Sequence, residues 1–334
     1  MRQAAFRWVW LAVGLLGQSA WSQSQGMPVQ PEGLQWLQRV TMAVQKLSYS
    51  GTFVYRNGSR SETSRIVHVA SNGNQMEKLE VLDGSPREVI RHNDEVRCYL
   101  PESRLVIVEQ RGTRRTFPAL LPVSLAGLTD HYNIRMGGSA RVAGYDSQIV
   151  RLEPRDAWRY GQQFWVERGT GLLLKADMLD ERGEALESMA FTELRIGEPL
   201  GPDALKPGQA ASAAGAWQVR QSRLREIHDD AQWTFRTDLP GFRRQAAMRR
   251  STAKEGAGDG QDVLHWVFSD GLVALSVFIS PLKQPAESSA DELQTFGALS
   301  VMKRSIDGHR VVVMGDLPPA AIRRFAEGIG VRGK

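Results

Sequence analysis

The sequence contains little cysteine and little lysine. Cys98 is the only cysteine among 334 residues, so no internal disulfide can form and the fold must depend on its core. Its position between Val96 and Leu100 in an alternating stretch is typical of a small core residue. Eight of the 42 basic residues are lysines and the others are arginines. Because the planar guanidinium matches carboxylates and phosphates, this bias favours an acidic protein partner or anionic lipid headgroups, although a codon bias accounts for it equally well.

Charge and hydropathy bear on several further classes. The formal net charge is +5 at pH 7, a modest excess that does not indicate a nucleic-acid partner. The one long apolar run, residues 8–17, is about half the length of roughly 20 residues that a membrane span needs. Arg2 and Arg7 precede this run, and the cleavage sequence Ala-Trp-Ser ends at Ser22. We therefore expect residues 1–22 to be a secretory signal peptide and the remaining chain to be exported.

Sequence motifs for catalysis, cofactors and metals are missing. The chain has no serine elbow, P-loop, dinucleotide fingerprint or C-x-x-C pair. The histidines never fall at the short spacing of a metal site; they are His68, His92, His131, His228, His265 and His309. We therefore expect no metal, no cofactor and no catalytic residue. An exported enzyme whose residues converge only in space is the least favoured alternative.

The first part of the mature chain reads as one helix followed by many strands. In PEGLQWLQRVTMAVQKLS the apolar residues share one helical face. From Tyr49 the period changes to two, and Asn57-Gly58 is a hairpin turn signal. About nine strands follow in meander order. The pattern predicts an α+β fold whose large domain, residues 27–197, is an antiparallel half-barrel with helical cover.

The stretch RYGQQFWVERGTGLLLKADMLDERGEALE, residues 159–187, reads as an antiparallel ribbon rich in large apolar side chains. Strict alternation places Trp165 and Leu173 on one face. The opposite face, which we expect to line an apolar concavity that accepts lipid, contains Phe164, Val166, Leu172, Leu174 and Met178. The alternative is that the helix and the segment 120–128 fill the concavity as ordinary core, because apolar stripes are usually core.

A composition change marks the end of this domain. Residues 198–216, rich in Gly, Pro, Ala and Ser, are predicted to be a linker. Residues 217–330 then predict a smaller α+β domain with hairpin turns at Asp270-Gly271 and Asp307-Gly308. A final helix is expected to begin at the Pro318-Pro319 pair, since proline is favoured in the first helical turn.

Short motifs in both predicted domains resemble one known family. The segments are RVAGY, PRD, RYG, TGLLL and LDERG between residues 141 and 183, then LPGF, FSDG and VMGDLPPAAIRRFAEGI. In this order they resemble the periplasmic sigma-E regulatory proteins of the RseB/MucB family, and the resemblance covers nearly the whole mature chain.

This resemblance implies a periplasmic regulator without chemistry. Members of the family bind the periplasmic segment of a membrane anti-sigma factor and protect it from the initiating protease, so that the envelope-stress sigma factor stays sequestered. Their large domain is similar to lipoprotein carriers and accepts acyl chains. Lipid such as lipopolysaccharide ends the protection of the anti-sigma factor. The smaller domain is the expected main contact for the anti-sigma factor.

Three points stay open from the sequence. For the partner contact we expect the Arg-rich surface of the second domain, which contains Arg243, Arg244, Arg249 and Arg250. The alternative function is a periplasmic lipid or lipoprotein carrier, which the curved sheet alone would favour but which has no ready use for residues 217–330. Association with a second copy of the chain is also open.

Overall fold

The computed structural model describes residues 31–71, 73–110, 116–122, 124–201, 203–208, 217–222, 224–227, 232–236, 238–251, 262–282 and 290–332. The predicted signal peptide lies outside these residues. The described part contains three α-helices: α1 Pro31–Lys46, α2 Leu128–His131 and α3 Pro319–Glu327. None of them is long and apolar enough to span a membrane.

The N-terminal part of the chain forms one large sheet of twelve strands among the described residues. The order across the sheet is β12-β6-β5-β4-β3-β2-β1-β11-β10-β9-β8-β7, so sequence neighbours are mostly hairpin partners. The strands are β1 Tyr49–Asn57, β2 Arg60–Ser71, β3 Asn74–Val81, β4 Glu88–His92, β5 Glu95–Leu100, β6 Leu105–Gln110, β7 Tyr132–Val142, β8 Tyr145–Pro154, β9 Gly161–Glu167, β10 Leu173–Leu179, β11 Ala185–Ile196 and β12 Gln218–Ser222. The prediction of a large, mainly antiparallel sheet with few helices is confirmed.

One face of this first sheet packs against α1 and an irregular segment. Leu37 and Val40 of α1 are fully buried in the same core cluster as Phe53 and Phe191 of the sheet. The ring of Phe117 lies 5.1 Å from that of Phe53 and 5.0 Å from that of Phe191, measured between centroids. Leu121 and Leu128 belong to the same core cluster, so residues 116–122 and 124–128 pack with α1 on this face.

The C-terminal part forms a second sheet with its own core. Its strand order is β13-β15-β16-β17-β20-β19-β18, and α3 packs on one face, with Ile322 and Phe325 fully buried. The strands of the second sheet, and the separate pair β14 and β21, are β13 Leu224–Glu226, β14 Trp233–Phe235, β15 Arg243–Ser251, β16 Asp262–Ser269, β17 Ala274–Pro281, β18 Glu292–Phe296, β19 Leu299–Ile306, β20 His309–Gly315 and β21 Ile329–Val331. The hairpin turn at Asp307-Gly308 and the helix start at Pro319 are where the sequence predicts them.

The predicted linker is docked on the first sheet over part of its length. The Gly208 amide donates to both oxygens of the Glu88 carboxylate, at 3.0 and 2.9 Å, and Lys78 donates to the Lys206 carbonyl at 2.9 Å. Beyond it, residues 218–222 pair in parallel with β6. The predicted boundary puts these residues in the second domain, whereas in the structure they pair with the first sheet. Hairpin turn signals reveal antiparallel neighbours, whereas a parallel strand at a sheet edge leaves no local signal.

A buried arginine joins the two sheets. Arg159, 3% exposed, follows β8, and its guanidinium forms an ion pair with the buried Asp270 at the β16–β17 turn. The same guanidinium donates to the Pro240 carbonyl at 2.6 Å and to Asp156 at 3.0 Å. The Tyr132 hydroxyl donates to Asp270 at 3.2 Å. Every polar group of this network has a partner, which is the condition under which a buried charge is tolerated.

Close backbone packing surrounds this junction. Gly241 has a φ of +80°, and a Cβ built on it would lie only 2.0 Å from His131 Nε2. Leu272 packs against both core clusters. The motifs that carry the family resemblance meet here, since PRD contains Asp156, RYG contains Arg159, LPGF contains Pro240 and FSDG contains Asp270.

We expect Arg159→Ala to lower the free energy of unfolding by about 3–5 kcal/mol, because it leaves the Asp270 carboxylate buried and unpaired. Urea denaturation measures this. The matched control is Arg135→Ala, which removes an exposed ion pair with Glu153 (2.6 Å) and should cost about 1 kcal/mol or less. Equal, small losses for the two variants would contradict a structural role of the junction.

Candidate functional site

The apolar ribbon residues singled out from sequence lie in the first core. Phe164, Val166, Leu172 and Leu174 are at most 1% exposed and belong to the cluster that α1 covers. Met178 lies near the end of β10 and is half-buried. The structure thus brings four of the five together under α1. An acyl chain could reach them only if α1 or the covering residues 116–122 and 124–128 moved, so their role in lipid binding stays a prediction.

The strict alternation predicted for the ribbon is wrong at Leu173. The pairing of β9 with β10 shifts between Leu173 and Lys175, so that Leu173 lies opposite Val166 while Lys175 lies opposite Trp165. This β-bulge turns three consecutive leucines, 172 to 174, into core residues with 0% exposure. On the opposite face of the sheet, the Lys175 ammonium lies 4.1 Å from the ring centroid of Trp165.

The turn between β9 and β10 holds α1 against the sheet. The Arg39 guanidinium donates to the carbonyls of Arg168 and Gly169, the latter at 3.1 Å. Gly171 has a φ of +82°, and a Cβ there would lie 2.9 Å from that of Arg39. This contact, which we call the α1 latch, therefore needs glycine at position 171 for both backbone conformation and space.

Glu167 supports the latch from within the turn. Its carboxylate accepts from the Gly169 amide at 2.8 Å and from the Thr170 amide and hydroxyl. Burial opposes ionisation, but these hydrogen bonds and the nearby Arg39 charge outweigh it, so the pKa of Glu167 lies below its usual value. The turn therefore retains its negative charge, and with it these hydrogen bonds, at neutral pH.

A buried polar cluster lies at the edge of the same core, and no sequence motif indicated it. The rings of Tyr49 and His68 stack with centroids 4.9 Å apart, and the His68 Nδ1 atom lies 3.5 Å from the Glu77 carboxylate. Among the described residues, neither the Tyr49 hydroxyl nor the His68 ring nitrogens have a hydrogen-bond partner. Burial raises the pKa of Tyr49 well above its usual value. The only sequence signal is that Tyr49 and His68 occupy inward positions of two strands that pair.

The predicted arginine surface is divided between the two ends of one strand. Arg243 and Arg244 begin β15, and Arg249 and Arg250 end it, about 17 Å further on. Arg243, Arg244 and Arg249 are exposed, whereas the side chain of Arg250 lies outside the description. Arg225 pairs with Arg249 across β13 and β15, which concentrates positive charge at that end. A role of these arginines in partner binding stays a prediction.

Groups that could hold a metal are not found in the described part of the chain: no three His, Cys, Asp or Glu side chains come together there. Cys98 is half-buried, and burial raises the pKa of its thiol.

Comparison with curated proteins identifies the class. The "Sigma factor AlgU regulatory protein MucB" of Pseudomonas aeruginosa is 31% identical over 297 residues, which is 87% of this chain and 88% of the relative. The "Sigma-E factor regulatory protein RseB" of Escherichia coli K12 is 24% identical over 322 residues, 96% of this chain and 97% of the relative. The chain is accordingly a regulatory protein and not an enzyme.

Family models make the assignment specific. The model of the MucB/RseB N-terminal domain matches residues 32–209, and that of the MucB/RseB C-terminal domain matches residues 228–330. The chain belongs to the MucB/RseB family. A solved structure described as the complex structure of Pseudomonas aeruginosa MucA/MucB has a TM-score of 0.70 and 28% identity, covering 91% of this chain and all of that one. A crystal structure of MucB in complex with MucA(peri) gives 0.68 and 28%, covering 90% of this chain.

We expect Tyr49→Phe to leave stability unchanged or to raise it, because the buried hydroxyl that it removes has no partner within the described structure. The matched control is Tyr132→Phe, which removes the hydrogen bond to Asp270 and should cost about 1 kcal/mol. Chemical denaturation of both variants measures the difference. A loss of about 1 kcal/mol for Tyr49→Phe as well would show that its hydroxyl is satisfied in solution.

Proposed function

We propose that this chain is a periplasmic negative regulator of an envelope-stress response, which binds the periplasmic segment of a membrane anti-sigma factor. The observation that carries the proposal is the similarity, over nine-tenths of the chain, to the MucB chain of solved MucA complexes. The names of the curated relatives support the regulatory part. The charged N-terminal region with its short apolar run, residues 1–22, supports export as a signal peptide.

Binding is proposed to shield the anti-sigma segment from the protease that initiates its destruction. The physical support is the network at Arg159, which joins the two sheets through an ion pair and a hydrogen bond to a backbone carbonyl, so that a partner contacting both sheets would meet a preformed surface. A preformed surface loses little conformational entropy on binding. The smaller domain, residues 217–330 in the proposed boundaries, would make the main contact, and Arg243, Arg244, Arg249 and Arg250 are its proposed charged groups.

Lipid is proposed to release the partner by entering the first core. The ribbon face of Phe164, Val166, Leu172, Leu174 and Met178 is the proposed acyl-binding surface, reached when the α1 latch opens. Turning a complex from 99% to 1% populated needs a preference of about 5.5 kcal/mol for the lipid-bound, partner-free state. Each buried methylene contributes about 0.8 kcal/mol, so one acyl chain suffices.

A periplasmic lipid or lipoprotein carrier is the second candidate, and the structure offers it less support. A carrier needs an accessible apolar cavity. In this structure α1 and residues 116–122 and 124–128 cover the apolar face of the first sheet. A carrier function also does not explain why the chain has a second sheet with its own core. The two candidates differ in one testable respect, because only the regulator requires a protein partner.

The test is a calorimetric titration of the chain without residues 1–22 with the periplasmic segment of its cognate anti-sigma factor. The titration is repeated after loading with lipopolysaccharide fragments, for the wild type and for Arg39→Ala. We expect tight binding, weaker binding after loading, and a larger effect of lipid in Arg39→Ala because the latch is weakened. Arg182→Ala is the control, since Arg182 is an exposed arginine in another turn of the same sheet.

Each part of the proposal fails separately in this experiment. No binding in either condition would contradict the regulatory function. If the anti-sigma segment bound with the same affinity before and after lipid loading in every variant, partner binding would stand and release by lipid would be contradicted. If lipid lowered the partner affinity equally in Arg39→Ala and in the wild type, the α1 latch would not be the barrier to lipid entry.

A further inference from the structure

A groove lies where the segment between β8 and β9 meets the second sheet, next to the Arg159 network, since the Trp158 amide donates to Asp156 at 3.0 Å. Its volume is about 390 Å³, and it is lined by Trp158, in the segment between β8 and β9, and by one side of α3, including Ala320 and Arg323. Leu293 of β18 also lines it. The half-buried Trp158 and Leu293 both pack against the second core, so the lining is held in place from behind. The groove thus combines apolar lining residues, among them Trp158 and Leu293, with three charged ones.

The strand beside this groove is the edge of the second sheet. β18 pairs with β19 on one side, and within the described residues no strand pairs with its other side. Its residues Glu292, Thr295 and Phe296 are exposed, and Phe296 is 48% exposed although it is a large apolar residue. An edge strand presents unpaired backbone N–H and C=O groups, which an extended peptide can pair with.

Among the described residues, one cation that lines the groove forms no ion pair. Arg324 is already engaged, because it donates to Asp238 at 2.9 Å and lies 4.9 Å from the ring centroid of Trp158. Arg323 is exposed, and no other described residue forms an ion pair with it. Glu327 is the single acid of the lining. An incoming carboxylate would therefore find a cation at Arg323 that needs no existing pair to break.

We propose that an extended acidic segment of the protein partner adds as a strand to the outer edge of β18, with one apolar side chain in the groove over Leu293 and Trp158 and a carboxylate at Arg323. This inference rests on the proposed function, since it places the anti-sigma segment on the chain. Strand addition aligns alternate side chains of the peptide with one face, so the groove selects one apolar residue and Arg323 selects an acid close to it in the peptide. The site differs from the β15 arginines predicted from sequence.

Two variants test the groove, each with a matched control. Ala320→Trp fills the groove from an exposed helix position, and its control is Ala185→Trp at an exposed position of β11. Arg323→Glu reverses the free charge, and its control is Arg182→Glu. The periplasmic segment of the cognate anti-sigma factor is the probe, and its affinity is measured at low salt. We expect a loss of about tenfold or more for Ala320→Trp and about fivefold for Arg323→Glu, with both controls within about twofold.

Hydrogen exchange tests the strand addition directly. In the complex, amides of residues 292–296 should gain protection that they lack in the free protein, because an edge strand leaves part of its amides unpaired. Wild-type affinity in both groove variants, or unchanged exchange in β18, would overturn the inference while leaving the proposed function in place. Absence of binding to the wild type would overturn the proposed function, and the inference with it. If Ala320→Trp converted a dimer to a monomer, the groove would join two copies and the inference would also fail.

Discussion

The buried guanidinium of Arg159 is the interaction on which the arrangement of the two sheets depends. It pairs with Asp270 of the second sheet, donates to the carbonyl of Pro240, and is held from its own side by Asp156. Burial, followed by the Asp270 charge, raises the pKa of Tyr132 well above its usual value, so its hydroxyl stays a hydrogen-bond donor to that carboxylate. An arginine suits this position because its planar fork offers several donors in fixed directions, which a lysine cannot do. The network consequently ties the segment after β8 to the β16–β17 turn.

A second constraint acts within the first sheet. Its large apolar face must be covered, and α1 together with residues 116–122 and 124–128 provides that cover in the structure described. The latch formed by Arg39 and the β9–β10 turn fixes one side of α1 through hydrogen bonds at the protein surface, which contribute less than buried ones. In the proposed lipid response α1, which is held by exposed hydrogen bonds, would move, while the buried contacts of Arg159 would stay formed.

Periodicity and turn residues were sufficient to predict the helix at 31–46, the meander order and the hairpin turns, since these follow from local backbone preferences. The bulge that makes Leu173 a core residue could not be predicted, because one extra residue changes the register without a sequence signal. The parallel strand at 218–222 and the convergence of Arg159, Pro240 and Asp270 depend on contacts between distant segments. The motifs RYG, LPGF and FSDG nevertheless contain these three residues, although the sequence does not indicate that they are in contact. The groove at Trp158 had no sequence signal, since its walls come from both parts of the chain.

The most direct test of the account is the rate at which the initiating protease cleaves the periplasmic segment of the anti-sigma factor in the presence of this chain. With the chain in about hundredfold excess over its dissociation constant, about 1% of the segment remains free. The account predicts that cleavage then slows by about the same factor, and that a lipopolysaccharide fragment restores the rate. Cleavage at an unchanged rate with the segment fully bound would contradict the claim that this protein acts by shielding its partner.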